Sequence, residues 1–166
     1  VKNTQSTYGL TTKVTMGLYS EGTVLGYEAA QNYVDAMNSF QNQGVIVFAN
    51  SNNTSLSNTA WYGALPDLFP ELEEAWITVV NIDIDGTAGN ETYELKSAPC
   101  GDAARYCLGG DAFEINGLSQ GNRYWMRASG TSFMAPQVSG AVALLAEAFP
   151  NQTPEMWTKR LLATAN

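Results

Sequence analysis

Apolar residues return at every third or fourth position between residues 27 and 43, at Tyr27, Ala30, Val34, Met37 and Phe40. That spacing gathers them on one stripe of a helix and leaves the polar residues on the other. Gly44 follows where a left-handed backbone ends a helix without steric cost, and so predicts the stop. Val45-Ile46-Val47-Phe48-Ala49 then runs apolar without a break, which predicts a short strand covered on both faces, as in a parallel sheet. An Asn- and Ser-rich loop follows, from Asn50 to Asn58. Trp76 to Ile84 predicts a second strand, Asp85-Gly86 a turn, and Thr92–Leu95 a return strand. Val138–Phe149 is apolar nearly all round and predicts a buried helix. Thr153-Pro154-Glu155 opens a last helix, with Thr153 as N-cap and Pro154 at N1. Helices alternating with strands predict an α/β fold with a mainly parallel sheet.

Composition narrows the functions open to such a fold. The 166 residues are 45% hydrophobic and 14% charged, enough apolar side chain for one domain or a piece of a larger one. Sixteen acidic against eight basic residues give a net charge of −8, which argues against nucleic acid and anionic membrane surfaces as partners. No apolar run reaches the length of a membrane-spanning helix. Beginning at Val1 without a signal peptide, the chain reads as processed or excised from something longer. It contains no histidine, so neither a Ser-His-Asp triad nor a Cys-His dyad is complete within it. Two cysteines cannot make a Cys₄ zinc site. Asn81-Ile82-Asp83-Ile84-Asp85-Gly86 spaces its oxygens as a calcium loop does, but position twelve is Thr92. A hairpin turn accounts for it better, and neither a metal nor a cofactor is expected.

The chemistry concentrates in Ser129-Gly130-Thr131-Ser132-Phe133-Met134-Ala135-Pro136-Gln137-Val138-Ser139-Gly140. A serine at the start of a helix has backbone N–H groups and a partial positive charge beside it, where an oxyanion would develop. Gly130 and Ala135 leave room for a substrate backbone. Pro136 opposes the carbonyl of Ser132, four residues back, and implies a distorted turn. On these residues alone, helix capping by Ser129, Thr131 and Ser132 is an equally good account.

The segment resembles the active-site serine motif of the subtilisin-like serine proteases, Gly-Thr-Ser-x-small-x-Pro running into Val-Ser-Gly, with Ser132 as nucleophile. Met134 stands where a small residue is usual, and Gln137 where many members carry histidine. The strand Val45–Ala49 with Asn50-Ser51-Asn52 resembles the family's strand ending in Ala-Gly-Asn, which implies that the Asn52 amide donates to the oxyanion. Ala64-Leu65-Pro66-Asp67-Leu68-Phe69-Pro70, Trp76-Ile77-Thr78-Val79-Val80 and Pro99-Cys100-Gly101…Tyr106-Cys107-Leu108 follow the order seen in subtilase passenger domains of bacterial autotransporters. Spacing alone leaves Cys100 and Cys107 either bridged or reduced; the resemblance implies a disulfide and a secreted or surface location. Asn3-Thr4-Gln5-Ser6-Thr7-Tyr8-Gly9 resembles the family's substrate-pairing strand. Thr7, Tyr8 and Gly9 would then form one wall of the specificity pocket, and Ala49, Asn50 and Ser51 the other, with Thr131 beside the nucleophile.

The resemblance implies a partial subtilisin-like three-layer fold lacking its N-terminal half. Residues 1–166 would be the C-terminal portion of one catalytic domain, with no internal boundary. The family's catalytic Asp and His precede the matched motifs. Alone, the chain is therefore expected to be inactive, and to self-associate through its exposed sheet edge and apolar face. Its expected partners are a peptide or protein substrate and the upstream half of the domain. Two alternatives stay open: a non-catalytic pseudoprotease acting as a binding module, and a fragment of a sedolisin-type Ser-Glu-Asp peptidase.

Overall fold

The computed structural model describes residues 27–118 and 125–165. Helix α1 is Tyr27–Phe40, strand β1 is Ile46–Ala49, and a short helix α2 is Leu65–Leu68. Strands β2 (Trp76–Thr87) and β3 (Asn90–Leu95) form a hairpin. Strand β4 (Cys107–Asp111) is followed by a second hairpin of β5 (Ile115–Leu118) and β6 (Trp125–Ala128). Helices α3 (Thr131–Ala148) and α4 (Pro154–Thr164) complete the order.

The sheet is built on β2, with β1 and β4 each parallel to it and β3 returning antiparallel. Because strand side chains alternate, each strand feeds two cores. Ile46, Phe48 and Trp76 meet Val34 of α1, the Leu65–Leu72 segment and Tyr106 on one face. Val47, Ala49, Ile77 and Val79 meet Val138 of α3 and Leu161 of α4 on the other. The result is three layers, a mixed sheet between helices, as a partial subtilisin-like fold requires. β1 has both faces covered, as its unbroken apolar run predicts. Its residues are only half-buried, because among the described residues its outer edge has no partner strand.

Three expectations need correcting. Gly44 does not take a left-handed backbone; the Phe40 ring lies across it, and a Cβ there would come within 2.7 Å of Phe40 Cζ. The hairpin turn is Ala88-Gly89 rather than Asp85-Gly86, since β2 runs on to Thr87 and pairs it with Asn90. Gly86 sits inside the strand with φ +114°, where a Cβ would strike the Asn90 carbonyl. Helix α3 starts seven residues earlier than its apolar run and is not buried all round: Leu144 is 68% exposed. The sheet and α4 cover part of it, and among the described residues Leu144 is left exposed.

Local chemistry explains the remaining joints. Thr153 caps α4, its hydroxyl accepting the Met156 N–H at 3.3 Å, and Pro154 follows at the first helical position. Cys100 and Cys107 form the disulfide, with Cα atoms 5.9 Å apart, across the 3₁₀ turn Gly101–Tyr106 that leads into β4. Arg105 of that turn forks onto Glu73 at 2.7 and 2.8 Å and reaches Asp67 at 2.8 Å. The hydrogen bonds that Arg105 donates to Glu73, with Asp67 behind them, hold the guanidinium above its ordinary pKa.

Candidate active site

Parallel strands direct their C-terminal ends to one edge of the sheet, and Asn50-Ser51-Asn52 leave β1 at that edge. The N-terminus of α3 meets them there. The Thr131 N–H donates to Asn52 Oδ1 at 2.9 Å, across 79 residues of sequence. The Thr131 hydroxyl donates to the Asn50 carbonyl at 2.7 Å and lies 3.2 Å from Asn52 Oδ1. Gly130 precedes the helix at φ +149°, and a Cβ there would crowd Asn52 Nδ2 at 3.1 Å. Glycine at 130 is thus required twice, by its backbone and by the carboxamide laid against it.

The Asn52 carboxamide commits its oxygen to Thr131 and lays its Nδ2 donor beside Gly130, just ahead of the helix. Ser132 is the second residue of α3 and exposed. Its N–H belongs to the first turn, whose donors have no intrahelical acceptor. The turn is tightened by a bond from the Phe133 N–H to the Gly130 carbonyl at 2.9 Å. Pro136 lies inside α3 and withholds the N–H that the Ser132 carbonyl would otherwise receive. A hydroxyl, a backbone N–H and a carboxamide donor therefore share one end of the sheet. That set suits attack on a carbonyl and stabilisation of the resulting oxyanion.

The expected pocket residues fare differently. The Asn50 side chain is buried and used up. Its Nδ2 donates to the Ala98 and Pro99 carbonyls at 3.2 and 3.0 Å, and its Oδ1 accepts from the Ser51 and Ala60 N–H groups and the Thr59 hydroxyl. Ala49 points into the core beside α3. Ser51 is half-buried, its hydroxyl accepting the Asn53 N–H and its carbonyl the Ala98 N–H. Any wall here is backbone rather than the Ala49 or Asn50 side chains. Thr7, Tyr8 and Gly9 lie outside the described residues.

Asn81 of the calcium-like stretch is buried, its Oδ1 accepting the Ala112 N–H at 3.2 Å. Among the described residues, no cluster of three or more His, Cys, Asp or Glu side chains could hold a metal ion.

Sequence reading missed the support beneath Ser132. The Met134 thioether lies over Gly110 of β4. The adjacent glycines Gly109 and Gly110 mark a close approach to β4 without naming the side chain that makes it.

A family model for the subtilases matches residues 11–166. The chain belongs to the subtilase family, peptidase S8. It is similar to the Neisserial autotransporter lipoprotein NalP of Neisseria meningitidis serogroup B, with 27% identity over 134 residues, covering 75% of this chain and 12% of NalP. It is also similar to serotype-specific antigen 1 of Mannheimia haemolytica, with 30% identity over 127 residues, covering 73% of this chain and 13% of that protein. This subtilase chain thus spans about an eighth of the length of these relatives. In fold it is similar to the prenylagaramide maturation protease PagA, with a TM-score of 0.56 at 20% identity, covering 84% of this chain and 46% of PagA.

Proposed function

We propose that this chain is the nucleophile-bearing portion of a subtilisin-like endopeptidase that hydrolyses peptide bonds. Ser132 attacks the scissile carbonyl, and the Asn52 Nδ2 and Ser132 N–H donate to the oxyanion. The upstream half of the same catalytic domain supplies the base that takes the hydroxyl proton, together with the carboxylate that orients it. The bond between the Thr131 N–H and Asn52 Oδ1 carries the reading: it joins the two motifs and sets the Asn52 amide beside Gly130, at the start of the helix that bears Ser132. Helix capping alone does not explain why a carboxamide from a distant strand end should be recruited to this turn. The chain has no histidine, and a serine hydroxyl without an adjacent base is a poor nucleophile, so alone it is inactive. The Cys100–Cys107 disulfide and the similarity to an autotransporter lipoprotein support a secreted or surface-exposed setting. Substrate contacts at Thr7, Tyr8, Gly9 and the Ala49–Ser51 backbone belong to this proposal.

A fluorophosphonate probe tests it. Ser132 is expected to be labelled in the protein that carries the upstream half, and in neither the 166-residue chain alone nor the Ser132→Ala form. Efficient labelling of the chain alone would refute the need for an upstream base. No labelling of the longer protein would leave a non-catalytic binding module.

A further inference from the structure

Asn52 holds the first turn of α3 from the β1 side alone. A helix end tethered on one side is free to tilt, and a nucleophile must hold its geometry to well within an ångström. We propose that the tail of β4, residues 110–114, is the second tether, with Met134 on Gly110 as the positioning residue that sets Ser132 against Asn52. This rests on the reading of Ser132 as nucleophile.

Four contacts join the tail to the serine turn. A Cβ on Gly110 would lie 2.6 Å from Met134 Sδ, so the thioether occupies the space glycine leaves. The Gln137 side-chain amide donates to the Asp111 carbonyl at 3.2 Å, and to Phe133 of its own helix at 3.1 Å. The Gly130 N–H donates to the Ala112 carbonyl at 3.0 Å. The Glu114 N–H donates to the Ser129 hydroxyl at 2.8 Å. Asn81 of β2 fixes the tail in turn through the Ala112 N–H. On the opposite face, Gly109 admits the end of Ile82, so β4 is thinned on both sides and each gap is filled.

Met134 and Gln137 are the two positions at which the serine segment departs from the family motif, and both dock on β4. The departures form a matched set that holds the turn.

Gly110→Ala in the protein carrying the upstream half displaces Met134. It is expected to lower kcat by about tenfold or more while KM stays within about twofold. Adding Met134→Ala should restore kcat to within about threefold of the parent, because the smaller side chain frees the space. Amide-hydrogen exchange at Thr131 in the 166-residue chain gives a readout independent of activity: faster in Gly110→Ala, restored in the double variant. Unchanged kcat and exchange in Gly110→Ala, or a double variant no better than the single, overturns the proposal. If Gly110→Ala does not fold, Met134→Ala decides: lower kcat at constant KM supports the tether, and an unchanged kcat overturns it. A parent protein that the fluorophosphonate does not label defeats the nucleophile reading instead, while the exchange arm still judges the docking.

Discussion

The Asn52 oxygen anchors the helix start, and under the proposed function the nitrogen of the same carboxamide donates to the oxyanion. The two separate by substitution. Asn52→Asp keeps an acceptor for the Thr131 N–H and removes the donor, so kcat of the completed enzyme should fall by about 10²–10³ while the melting temperature stays close to the parent's. Asn52→Ala should lose both, and steady-state kinetics paired with thermal melts will show whether stability and catalysis part in this way. Asn50, Asn52 and Asn53 look alike in sequence, and burial and hydrogen-bond partners distinguish them. Asn50 is 3% exposed and serves the loops, whereas Asn52 is exposed and reaches the helix. The motif singled out Asn52, and the structure brings it to Thr131 of the serine segment. The seat of Met134 on Gly110 was not legible, since nothing local in either residue names the other.

Elements whose ends are set by neighbouring residues were read correctly, and those set by distant packing were not. Thr153 and Pro154 start α4 through contacts within one turn. The hairpin turn was misplaced because Asp85-Gly86 carries a turn signal that cross-strand pairing overrides, drawing β2 on to Thr87. The helix ends at Phe40, before the stop expected at Gly44, and a ring contact rather than a left-handed backbone selects that glycine. The disulfide lies between these cases: the cysteine spacing allows it, and the 3₁₀ turn Gly101–Tyr106 brings its ends together. With a sequence separation of 7, it closes a short loop, so Cys100→Ser/Cys107→Ser should cost about 2–3 kcal/mol. Urea titration of the two forms measures this; a midpoint unchanged by the substitutions would mean that the Arg105 fork onto Glu73 and Asp67 holds the turn unaided.

Over the whole molecule, apolar surface stays open where the layers stop. Leu144 on α3 is 68% exposed, and among the described residues the outer edge of β1 is unpaired. Together they predict concentration-dependent self-association of the isolated chain, which light scattering will read; a clean monomer at high concentration would contradict it. Leu144→Lys should weaken that association while changing the chain's own stability by no more than about 0.5 kcal/mol. The all-round apolar pattern of α3 is thus intelligible as a surface to be covered, although sequence alone could not say by what. The bond from Thr131 to Asn52 has a further consequence, for the order in which the molecule assembles. The β2–β3 hairpin closes over Ala88-Gly89, but Asn52 must find its partner across 79 residues. Loop-closure entropy makes that meeting costly until the intervening strands have condensed. Under the proposed function, oxyanion donor and nucleophile thus come into register late in folding, and a nascent or half-folded chain holds a serine with no site around it.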